Sequence, residues 1–89
     1  MEIKVEKLSE EDLKKRKVMD WPIWTKEVSK FPWVYDSTEE CYFLEGDVTV
    51  ESGDGKKVSL GKGDFVTFPK GVSCTWIINK PIRKHYNFK

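Results

Sequence analysis

Turn-forming residues cut this chain into short alternating runs about ten residues apart, a rhythm that few folds other than a β-sandwich or β-barrel satisfy. The punctuation is specific. Asp54-Gly55 within "SGDGKK" is a strong hairpin signal. "GKGD" at 61–64, Pro69 with Gly71, and Asn79-Lys80-Pro81 mark further turns. Between them lie "ECYFLEGDVTVES" at 40–52, read as two strands broken near Gly46 and Asp47, then "VSL", "FVTFP", "SCTWIIN" and "IRKHYNF". Upstream, "IKVEK" at 3–7 suits a short strand. "IWTKEVS" at 23–29 sets Ile23, Thr25 and Glu27 on one face and Trp24, Lys26 and Val28 on the other. "PWVY" at 32–35 reads as extended. One helix interrupts the β pattern, over about 10–17: Ser9 suits its N-cap, Asp12 its third position, and Leu8 with Leu13 forms a hydrophobic staple. The pairs Glu10–Lys14, Glu11–Lys15 and Asp12–Arg16 support it at i,i+4 spacing. The expected fold is all-β, a barrel or jelly roll with one short N-terminal helix, forming a single domain over 1–89.

At 89 residues the core is small, so twelve aromatic side chains must supply core volume or line a site. The net charge of +1 gives no global attraction to nucleic acid or anionic lipid, and neither is expected as a partner. "KKRK" at 14–17 is read as a solvated helix face neutralised by the acids before it. Fourteen of the sixteen basic residues are Lys and Glu dominates the acids, a heat-adapted signature. "MEIKVEKLSEED" does not read as a signal peptide, and no apolar run reaches the ~20 residues of a membrane helix. A cytoplasmic location follows, with Cys41 and Cys74 as thiols outside any CxxC motif.

Two motifs resemble those of the cupins. Gly63, Pro69 and Gly71 match the second cupin motif, with Cys74 at its histidine position and Ile78 where an Asn usually closes it. Glu39 and Gly46 keep the Glu-to-Gly spacing of the first motif, whose two histidine positions fall on Trp33 and Tyr35, or on Pro32 and Val34. Within the cupins the chain is similar to the small single-domain branch, near the cupin domains of ureidoglycine aminohydrolases and ethanolamine-utilisation proteins. "WPIW", "ECYFLEG", "GDFVTFPKG", "SCTW" and "RKHY" carry that similarity. The resemblance implies a barrel whose mouth holds the site, and a metal bound by three imidazoles and a Glu. All three imidazole positions are lost here, so a metal is possible but not favoured.

Strand alternation places Cys41 and Phe43 beside Glu39, and Trp76 and Ile78 beside Cys74, if the first of each set points inward. Glu39 and Cys74 are the candidate catalytic residues. A buried Glu39 would act as general acid or base, and this is preferred to an exposed turn residue in "DSTEE". Trp33, Tyr35, Cys41, Trp76 and His85 are the candidate ligand-binding residues. The two thiols read first as buried filling, with a Cys41–Cys74 disulfide left open to their Cα separation. Arg83, Lys84 and His85 read either as an anion-binding rim or as a solvated edge strand blunted by charge, and Lys84 is assigned to the second. Trp21 and Trp24 are assigned to a partner interface, and a homodimer is expected. The leading functional expectation is a small polar metabolite bound in the barrel mouth. A metal-assisted enzyme on a nitrogenous or carboxylated metabolite comes second, and a structural or interaction module third.

Overall fold

The computed structural model describes residues 3–89. Strand β1 (Lys4–Glu6) leads to helix α1 (Glu10–Lys15), then a single 3-10 turn at Val18–Asp20. Six strands follow: β2 (Ile23–Lys26), β3 (Ser29–Val34), β4 (Glu39–Ser52), β5 (Lys57–Gly61), β6 (Phe65–Phe68) and β7 (Ser73–Phe88). All pair antiparallel in one sheet of order β1-β6-β4-β7-β2, with β3 also on β7 and β5 also on β4.

Two strands are longer than their turn residues predict. "ECYFLEGDVTVES" is one strand with a bulged centre, and residues 73–88 form one strand through Asn79-Lys80-Pro81. The two irregular stretches face each other. Asp47 pairs with Lys80, and the β4–β7 register shifts between Phe43 and Val48. Gly46 holds a φ of +106°, and a Cβ there would lie 2.5 Å from the Pro81 carbonyl oxygen. Only glycine tolerates both that conformation and that approach. Pro81, which has no N–H for a ladder, is accommodated at the same irregularity.

The irregularities form a crease across the sheet. On one side β7 pairs with β3 and on the other with β2; likewise β4 pairs with β5 and then β6. The β2–β3 link (27–28) and the β5–β6 turn (62–64) lie on the same line. Folding along it brings the two halves face to face and yields the jelly roll that the turn rhythm predicts. The bulge also switches parity in β4. Cys41 and Phe43 face inward before it, Val48 and Val50 after it, and all four are fully buried.

That interior also holds Val66, Phe68, Leu60, Cys74, Trp76, Ile78 and Ile82. A smaller apolar layer covers the outer face: Leu13, Val18 and Phe65, with Leu8, Trp21 and Tyr42 against them. Helix α1 is held there by its cap. The Asp12 N–H donates to the Ser9 hydroxyl at 3.1 Å, and Leu13 is buried next to Leu8, as the staple predicts. Arg16 from "KKRK" stacks over Phe65 at 5.0 Å and pairs with Glu40. The basic run is therefore partly absorbed by the fold. No helix of the described residues is long and apolar enough to cross a membrane.

Candidate functional site

A straight strand would hold residues 76 and 84 about 26 Å apart. The crease in β7 brings the Lys84 ammonium to 4.6 Å from the Trp76 ring centroid. Between the folded halves lies a cavity of about 320 Å³. Its aromatic walls are Trp24 of β2, Phe31 and Trp33 of β3, Tyr35, Trp76, and Tyr86 with Phe88 near the end of β7. Glu39 and Lys84 are its charged residues.

These two form a buried ion pair. Lys84 Nζ donates to Glu39 Oε2 at 3.1 Å, and their side chains are only 5% and 6% exposed. The ammonium also lies 5.2 Å from the Trp24 ring centroid and 6.0 Å from that of Phe43. Rings at that range attract a cation through their negative faces. Lys84 was expected in solvent; its alternation with Trp76, Ile78 and Ile82 carries it inside instead. Burial, with the Glu39 carboxylate second, pushes the Tyr35 phenol well above its ordinary range, so Tyr35 stays protonated and able to donate.

Of the residues singled out in the sequence, Glu39, Trp33, Tyr35 and Trp76 line the cavity. Cys41 and Cys74 face the interior but pack beneath the lining, as free thiols with no disulfide. Burial pushes the Cys41 thiol up to about 12, with Lys84 pulling it partly back. Burial raises Cys74 too, offset in part by the Trp76 N–H. That N–H is also the one buried side-chain polar atom with no partner at full hydrogen-bond geometry among the described residues. Neither thiol has the depressed pKa that a nucleophile needs.

His85 points the other way. Its neighbour Lys84 faces inward, so the imidazole faces the outer apolar layer, where Nδ1 lies 2.9 Å from the Trp21 carbonyl oxygen. A carbonyl only accepts, so Nδ1 carries the proton. Trp21 is thereby fastened to the protein's own sheet, packed on Phe65 at 6.2 Å, and Trp24 is a cavity wall. Both rings pack within the chain and stay partly exposed. Trp24, Phe31, Tyr86 and Phe88 were missed in the sequence. Tyr86 and Phe88 share the parity of Trp76, and Trp24 pairs directly with Lys84.

The donor set does not fit the metal that the cupin scaffold usually carries. No three His, Cys, Asp or Glu side chains among the described residues are grouped to hold a metal ion. The Glu39 carboxylate is already engaged by an ammonium, which would repel a metal cation approaching it.

A family model described as the EutQ-like cupin domain matches residues 13–86. The chain belongs to the EutQ-like cupin family. A crystal structure of a DUF861 family protein from Thermotoga maritima shares 56% identity with it, covering 99% of this chain and 100% of that one, with a TM-score of 0.97. The EutQ protein of Clostridium difficile is 24% identical with a TM-score of 0.68; the match covers 74% of this cupin and 52% of EutQ, about half its length. An RmlC-like cupin from Shewanella frigidimarina shares the fold at 17% identity and a TM-score of 0.58, over 74% of this chain and 64% of that one. No curated protein matches this cupin.

Proposed function

We propose that this cupin binds a small polar metabolite in its aromatic cavity and anchors it on the Glu39–Lys84 pair rather than on a metal. The buried pair is the observation that carries this reading. Two opposite charges withdrawn from water contribute little net stability, and apolar residues of the same volume often serve a fold as well or better. An ion pair in an otherwise aromatic hollow is expected where a ligand must be oriented. The volume of about 320 Å³ lies at the small end of ligand pockets, which suits a metabolite rather than a peptide.

A second reading, chemistry on the bound metabolite, is favoured by one feature. Glu39 offers a proton acceptor and Tyr35 a phenol held protonated at the same wall. Cys74 is left outside that reading by its place beneath the lining. We further propose a cytoplasmic homodimer from a heat-adapted source. Supporting this are the two free thiols, the exposed Trp33, Val34 and Phe88, and the surplus of Lys over Arg.

The test is a titration of ¹⁵N-labelled protein with a library of small polar fragments. Binding in the cavity shifts the indole N–H resonances of Trp24 and Trp76, and the shifts disappear in the Glu39→Leu/Lys84→Met double variant. An absence of hits, or hits that perturb only residues outside the cavity, would overturn the proposal.

A further inference from the structure

The polar atoms left open around the pair narrow the ligand. We infer that it is electrically neutral and offers an acceptor and a donor side by side, as a carboxamide or lactam does, on a flat apolar body; this rests on the binding reading above.

The charges of Glu39 and Lys84 already cancel. One carboxylate oxygen receives the ammonium at 3.1 Å. The Tyr35 hydroxyl approaches the same carboxylate as a side-chain donor. A carboxylate has about four acceptor sites and an ammonium three hydrogens, so both keep capacity beyond these contacts. Glu39 and Lys84 both line the cavity, so the wall presents an acceptor on Glu39 and the remaining hydrogens of Lys84.

An anionic ligand would gain from Lys84 but lose to Glu39 a few ångströms away, and it would leave a net charge against aromatic walls. A cationic ligand would suit the rings, but Trp24 and Trp76 already hold the Lys84 ammonium. A neutral amide meets neither objection. Its N–H gives to a remaining lone pair of Glu39 and its carbonyl accepts from Lys84. Each bond answers a group that would otherwise be left unpaired when the ligand displaces water. The aromatic lining favours a flat apolar body, which can lay a face or edge against ring surfaces that the cavity exposes.

The experiment compares three ligands of one shape: benzamide, benzoate and benzylamine, titrated by calorimetry with NMR to locate the site. Benzamide is expected to bind about tenfold tighter than either charged analogue. In Glu39→Gln, which leaves Lys84 as an uncancelled charge, benzoate is expected to overtake benzamide, with the spectrum confirming the fold. Benzoate or benzylamine binding wild type as tightly as benzamide overturns the inference, as does the absence of benzamide binding up to its solubility. If other fragments still shift Trp24 and Trp76 in either case, the amide assignment fails alone and the binding site stands. If nothing shifts them, both fail.

Discussion

Replacing Lys84 by Met while leaving Glu39 in place would strand a carboxylate that is only 6% exposed. At 3.1 Å and an effective dielectric of about 20, the attraction between the two charges is about 5 kcal/mol, most of which offsets the desolvation of both groups. The single change removes the attraction and leaves the Glu39 desolvation uncompensated, a cost of about 3–5 kcal/mol. Loss of the contacts between ammonium and rings adds about 1 kcal/mol. For a domain of this size each kcal/mol moves Tm by about 4–8 °C, so Lys84→Met should melt at least about 12 °C lower. Glu39→Leu alone should be of similar size, because it strands the ammonium. The double variant, with two apolar residues of similar volume, should lie within about 1 kcal/mol of wild type. Urea denaturation of the four proteins closes a double-mutant cycle, with an expected coupling of about 5 kcal/mol or more. Costs that simply add, or a Lys84→Met protein as stable as wild type, would refute the claim that the two charges depend on each other.

Three other outcomes follow from the geometry. Gly46→Ala should cost about 2–5 kcal/mol, because its φ of +106° is strained for alanine and the Cβ meets Pro81, whereas Gly55→Ala, with open space around it, should cost about 1 kcal/mol; chemical denaturation separates the two. Ser9→Ala should lose about 1 kcal/mol with no effect on ligand binding, since it removes only the α1 cap, read as a few degrees in Tm. The third concerns alkali. Folded Cys41 keeps its proton up to about 12, while the unfolded chain releases it near 9, so this contribution is complete below pH 9 and is lost as pH rises toward 12. Cys41 alone should lower stability by about 1.4 kcal/mol per pH unit across that window, with Cys74 adding to the fall above 9 and Tyr35 above 10, and Cys41→Ala should reduce the slope between 9 and 10 in urea midpoints measured against pH.

Local signals were legible in the sequence wherever one residue type answers one local demand. Ser9 caps, Leu8 and Leu13 staple, Asp54-Gly55 turns a hairpin, and alternation aims Glu39, Cys41 and Phe43 together. The errors have one origin. Gly46-Asp47 and Asn79-Lys80-Pro81 carry turn chemistry, but each lies opposite the other across the β4–β7 ladder, where the pair makes a shared bend instead of two chain reversals. Which breakers face one another is a non-local fact. Reading β7 as two strands also hid the parity that runs from Trp76 to Lys84, so the buried ammonium was placed in water and His85 in the pocket. That Lys84 meets Glu39 inside the barrel is visible only once the crease sets residue 84 against residue 76.

The shared bend has a consequence for how such a pocket can be retuned. The walls that carry Trp76 and Lys84 belong to one continuous strand, so the angle at Gly46 and Pro81 governs how far apart they stand. A change at either position that touches no ligand could widen or narrow the hollow, as moving a hinge pin alters the gape of a pair of tongs. The shape of the hollow can therefore drift through backbone geometry at the knuckle while every side chain that lines it stays the same.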